Sequence, residues 1–184
     1  MLYNFFSKMK EKTVGSKRMN LIAIPVTIAI YFSAMLPYVA WTSENIKESF
    51  SLTVFIVIMA AMILGMVIHE LIHGVCFALF TKGGFKSLKF GVLWKYGAFY
   101  CHCNEPIKVK YCIVTILMPS LILGLIPLII AYSIQSFALL FFACMMLSAG
   151  IGDYYCAWLL RHFNKNDIIL DLPDKPGFMY ETKE

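Results

Sequence analysis

The chain has 184 residues, is 60% hydrophobic and 15% charged, and carries a formal net charge of +5. It is too apolar for an ordinary water-soluble domain of this size. Its basic residues follow the loops rather than one helix face, and no nucleic-acid motif accompanies them, so no nucleic-acid partner is expected.

Taken in order, a basic segment with Lys8, Lys10, Lys12, Lys17 and Arg18 precedes a first apolar run, Leu21–Ala40. Three more follow, at Ser51–Phe80, Cys112–Ile134 and Phe137–Leu160. Each is long enough to cross a bilayer as a helix, which takes about 20 residues. The first run sits deeper in the chain, and is longer, than the apolar core of a cleaved signal peptide, so it reads as a retained anchor. The expected fold is an α-helical integral membrane protein with four transmembrane helices, at about 21–40, 51–80, 112–134 and 137–160, in one domain over 1–184.

The loops set the expected orientation. The connection 81–111 holds Lys82, Lys86, Lys89, Lys95, Lys108 and Lys110, and the tail 161–184 holds Arg161, Lys165, Lys175 and Lys183. Between the first two runs only Lys47 is basic, and the link at Gln135 carries no charge. The positive-inside bias therefore predicts a multi-pass protein of the cell membrane, with both termini and the loop 81–111 cytoplasmic. That loop carries aromatic and β-branched residues between Gly83, Gly84, Gly91 and Gly97, a pattern of turns and short strands. Two readings stay open for it. An exposed strand can hold an extended substrate by β-addition, or the segment lies on the membrane with Trp94, Tyr96 and Tyr100 at the interface. The six cysteines give no disulfide framework, because three lie within apolar runs and Cys101 and Cys103 fall on the reducing side.

The second run contains His69-Glu70-Leu71-Ile72-His73. Ionisable groups at membrane depth are costly and mark functional sites. Residues four apart on a helix are stacked neighbours, so His69 and His73 can bind one metal ion. Glu70 is turned by about 100° from His69, beside the ligands, where a carboxylate can take a proton from water as a general base. Gly65 and Gly74 flank the motif and suit close helix approach.

A catalytic zinc site usually has a third protein ligand. Asp153 is the candidate: it is the one Asp, Glu, Lys, Arg or His in the fourth run, at the end of the small-residue patch Ser148–Asp153 that suits close packing or a helix break. Depth agrees. Leu71 lies about nine residues, roughly 13 Å, from the end of its run, and Asp153 about seven residues, roughly 10 Å, from the same boundary. His102, in Cys101-His102-Cys103, is the competitor, although strand alternation would turn it away from both cysteines. His162, beside Arg161, is expected at headgroups or the helix end.

These residues resemble the bacterial putative zincin peptidase family of membrane zinc metalloproteases, and more broadly site-2-protease-like intramembrane metallopeptidases. The resemblance rests on "HELIHGVCFALF", "KFGVLWKYGAFYCHCNEPIKV", Pro119, "AGIGDYYCAWLL" and "LDLPDKPGFMYE", and covers roughly residues 60–181. It implies a Zn2+-dependent endopeptidase acting on a membrane-embedded or membrane-proximal protein substrate. His69 and His73 would be ligands, Glu70 the catalytic base and Asp153 the third ligand. The setting of the aspartate, Ile151-Gly152-Asp153-Tyr154, departs from the Leu-Asp-Gly or Asn-Pro-Asp-Gly of site-2 enzymes. The alternative functions are a non-proteolytic metal-binding scaffold or assembly factor, and an ion transporter, for which no inverted repeats are visible.

Overall fold

The structure is a computed structural model and describes residues 9–13, 15–42, 51–93, 98–172 and 177–181. Trp94, Lys95 and Tyr96, the loop around Lys47, and Lys8, Lys175 and Lys183 lie outside the described residues. The elements are β1 (Met9–Thr13), α1 (Ser16–Thr42), α2 (Leu52–Phe80), β2 (Leu88–Leu93), β3 (Ala98–Cys103) and β4 (Ile107–Lys108). There follow α3 (Val109–Pro119), a π-helical segment (Ser120–Leu125), α4 (Ile126–Ile134), α5 (Phe137–Ala149), α6 (Ile151–Leu160), β5 (Ile168–Asp171) and β6 (Gly177–Glu181).

The chain is mostly helical, and three helical stretches are long and apolar enough to cross a membrane: Leu21–Thr42, Leu52–Phe80 and Val109–Ile134. A fourth results if α5 and α6, bent at a break, make one span. The faces these helices turn outward are apolar; Leu21 is 76% exposed and Leu79 74%. Contiguous apolar surface of that kind does not suit water. Ser51 starts α2 by accepting the Val54 N–H on its Oγ at 3.1 Å, which satisfies one of the four donors a helix start leaves open.

The contacts divide the chain into two units, one of residues 20–69 and 119–151, the other of residues 1–19, 70–118 and 152–184. The first unit is helical. Its core gathers Ala34, Tyr38, Ala131, Leu140 and Cys144, and Tyr132 donates to the Ala34 carbonyl at 2.5 Å. A Cβ on Gly65 would lie 2.9 Å from Met146 Sδ, so glycine there lets α2 and α5 approach closely, as the sequence suggests.

The second unit carries the strands. One sheet has the order β1-β6-β5-β4 and the other pairs β2 with β3, all antiparallel. The hairpin β2–β3 and the short β4 are the strands expected within 81–111. Strands β1, β5 and β6 extend that expectation: Met9–Thr13 pairs with Gly177–Glu181, joining the two ends of the chain. Gly177, at φ 148, sits where a Cβ would press into the Lys12 carbonyl, so only glycine fits that crossing. Beneath the sheets Phe77, Cys103, Ile107, Val109, Leu160, Ile169 and Phe178 form a buried core.

Candidate metal centre

The unit boundary passes between His69 and Glu70 inside the uninterrupted α2, so one helix carries His69, Glu70 and His73. The imidazoles of His69 and His73 are 7% and 6% exposed, which keeps bulk water from competing for them. Asp153 stands in the first turn of α6, immediately after the break at Gly150. Its Oδ2 lies 3.6 Å from His73 Nε2. Two ligand atoms sharing a tetrahedral zinc at bond lengths near 2.0–2.1 Å stand about 3.3 Å apart, so this separation is that of co-ligands. One ligand atom from each of His69, His73 and Asp153 falls within 4.8 Å of the others. Two imidazoles and one carboxylate, with a fourth position left over, are the donor set of a catalytic zinc site. The residues therefore fit the ion, with a small closure about it.

The orientation of His73 has a cause further along the sequence. Inside α3 the Thr115 carbonyl should accept the N–H of residue 119, but that residue is Pro119 and has none. The carbonyl accepts from His73 Nδ1 instead, at 3.0 Å. A carbonyl only accepts, so Nδ1 carries the proton in this contact, and Nε2, the nitrogen facing Asp153, is the one a metal would take. The π-helical segment begins at Ser120, directly after this point.

Glu70 lines a cavity of about 310 Å³ together with His73, Asp153, Cys101, His102 and Asp171. Gly74, one residue after the motif, shapes this wall. A Cβ there would run into the Phe90 ring and lie 3.5 Å from Cys101 Sγ, so glycine admits the β2–β3 hairpin against α2. The sequence points to close helix approach at Gly74; the approaching element is the hairpin.

The remaining candidates separate. His102 is buried on β3 and gives Nδ1 to Asp171 Oδ2 at 2.8 Å. It shares the cavity but stands outside the group of three candidate ligands. Burial pushes the Cys101 thiol up to about 12, and the Glu70 and Asp171 carboxylates add to it. The Cys103 thiol is raised too, chiefly by burial. Among the described residues Cys101, His102 and Cys103 do not gather as a ligand group, in keeping with the strand alternation that turns His102 away from both cysteines. His162 is exposed beyond the end of α6, edge-on to Trp158 at 5.9 Å. Asp171 and the Thr115 carbonyl have no motif of their own. The signals for them were an acid between two leucines in the tail and a proline four residues after Thr115.

Residues 62–168, more than half of the chain, match the model of the family described as putative zincin peptidase. The chain belongs to that family. Neither the curated proteins nor the solved structures give a match. The matched region of this zincin-family chain contains His69, Glu70, His73, Thr115, Pro119 and Asp153, and stops at the start of β5.

Proposed function

We propose that the protein is an integral membrane zinc endopeptidase, similar to site-2-type enzymes, that hydrolyses membrane-embedded or membrane-proximal protein substrates. The observation that carries this reading is the grouping of His69, His73 and Asp153 with Glu70 on one cavity. Bound zinc would supply Lewis acidity, bringing the pKa of its water toward neutrality. His69, His73 and Asp153 would hold it. Glu70 would take the proton from the attacking water and return it to the leaving amide nitrogen. A purely structural metal site has no use for a non-ligand carboxylate facing the same cavity, which disfavours the scaffold alternative.

Backbone geometry supports an extended substrate. Phe99, Tyr100, Cys101 and His102 are consecutive yet all line the cavity, so it runs along the edge of β3. The Cys103 N–H points to Asp171 rather than to β2. By the alternation of an antiparallel pair, Cys101 and Phe99 turn their backbone groups the same way. A peptide laid along that edge gains main-chain hydrogen bonds without needing a particular sequence.

Four crossings with both termini and residues 81–111 in the cytoplasm would place Glu70 within reach of cytoplasmic water. The test is terminal-peptide mapping of cells carrying wild type or Glu70→Gln. Protein termini that depend on Glu70 are the expected result and would name substrates; identical termini in both would remove the peptidase reading.

A further inference from the structure

Buried His102 and half-buried Asp171 form a pair on the same cavity as Glu70, outside the group of candidate metal ligands. Asp171 Oδ2 accepts from His102 Nδ1 at 2.8 Å and from the Cys103 N–H at 3.3 Å, while Oδ1 accepts the Leu172 N–H at 3.0 Å. The carboxylate is thus fixed by three donors and holds the imidazole by one nitrogen. Nε2, the other, has no protein partner among the described residues. His102 is 5% exposed as a residue, so the cavity is where that nitrogen can meet another molecule. A tie between β3 and β5 alone would need no imidazole on a cavity wall. That nitrogen is not sealed in the interior: it keeps accessible surface, and a ligand in the cavity can reach it.

We propose that His102 is a catalytic residue, and Asp171 its positioning residue, binding the oxygen of the scissile carbonyl as that oxygen gains charge. The proposal rests on the zinc-endopeptidase reading. In the imidazolium both ring nitrogens donate; with Nδ1 committed to Asp171, Nε2–H is directed at substrate. When the water oxygen forms its bond to the carbonyl carbon, the π pair moves onto the carbonyl oxygen, and Nε2–H donates a hydrogen bond to it. The water proton passes to Glu70 and then to the amide nitrogen as the C–N bond breaks and the carbonyl re-forms. His102 therefore ends the cycle as it began. A preorganised donor of this kind is worth about 10²–10³ in turnover.

The full-length chain, zinc-loaded in detergent, is titrated with two probes. One is a phosphinic pseudodipeptide, whose tetrahedral anion mimics the charged intermediate. The other is acetohydroxamate, which needs only the metal. The variants are His102→Ala and His102→Asn; the latter keeps an N–H donor for Asp171, and so the tie between strands, but lacks Nε2. Both should retain zinc, bind acetohydroxamate as the wild type does, and weaken for the phosphinic compound by at least about tenfold. Asp171→Asn should give a smaller loss, because its amide oxygen still accepts from Nδ1. Phosphinic affinity in His102→Asn equal to the wild type would overturn the proposal, as would parallel loss of both probes with zinc. Zinc-loaded wild type that bound neither probe would instead overturn the zinc-hydrolase reading, and this proposal with it.

Discussion

His73 and Thr115 are joined by a hydrogen bond of 3.0 Å from an imidazole nitrogen to a backbone carbonyl that its own helix cannot use. Pro119 is the reason, because it withholds the N–H that would otherwise occupy that carbonyl. A candidate metal ligand is thus oriented by the absence of one backbone hydrogen, four residues away from the carbonyl and on a different helix from the histidine.

Pro119→Ala restores the competing N–H. Zinc affinity should fall by about 10- to 100-fold, the usual loss when the partner orienting a histidine ligand is removed. Chelator competition measures the affinity, and nitrogen NMR of labelled histidine reads the His73 tautomer. Thr115→Val is the control. The Thr115 Oγ1 is buried without a hydrogen-bond partner among the described residues, and the variant keeps the carbonyl, so affinity should hold. Unchanged affinity and an unchanged tautomer in Pro119→Ala would dissolve the link.

Gly74→Val tests how the hairpin reaches α2. The new side chain would occupy the position of the Phe90 ring, at an overpacking cost of about 1–3 kcal/mol. Because Phe90 is 47% exposed, its ring can swing aside, and Phe90→Ala in the same chain should recover most of the loss. Thermal unfolding of the two single variants and the double variant measures the coupling. Additive losses would mean that another contact limits the approach.

Much of this was legible in residue order. The apolar runs announced the long helices, because twenty consecutive apolar residues have few other uses. The spacing of His69 and His73 announced a shared face, because helical geometry is local. Ser148–Gly152 announced the break before Asp153. Strands β1, β5 and β6 were not announced. Lys-Glu-Lys in β1 has no apolar alternation, and its partner Gly177–Glu181 lies at the far end of the chain. Asp171 was hidden for the same reason, since its partner His102 is 69 residues away. Pairings of that range leave no periodic trace; they emerge only when the sheet assembles.

Orientation is open to a direct chemical check. With cytoplasmic termini and loop, single cysteines in a cysteine-depleted chain at Lys86 and Thr182 should resist an impermeant thiol reagent in intact cells, and one at Ser43 should react. Lys86 is exposed, so access within the fold does not limit it. Reaction at Lys86 from outside would invert the arrangement and detach Glu70 from cytoplasmic water.

Asp153, rather than His102, should complete the metal site. Its Oδ2 is 3.6 Å from His73 Nε2, a ligand-to-ligand spacing, and it projects from the first turn of α6 beside the break. His102 has already committed Nδ1 to Asp171 and stands outside the cluster that unites His69, His73 and Asp153. Asp153→Ala should therefore abolish stoichiometric zinc or weaken it by several orders of magnitude, while His102→Ala keeps one zinc per chain at nearly unchanged affinity. Glu70→Gln supplies the third comparison: a general base that is not a ligand should leave zinc in place and still lower turnover by at least about 10²-fold. Metal analysis of the purified variants, with chelator competition for affinity, decides all three. If His102→Ala emptied the site and Asp153→Ala did not, the third ligand would be the strand histidine, and α6 would lose its part in the chemistry.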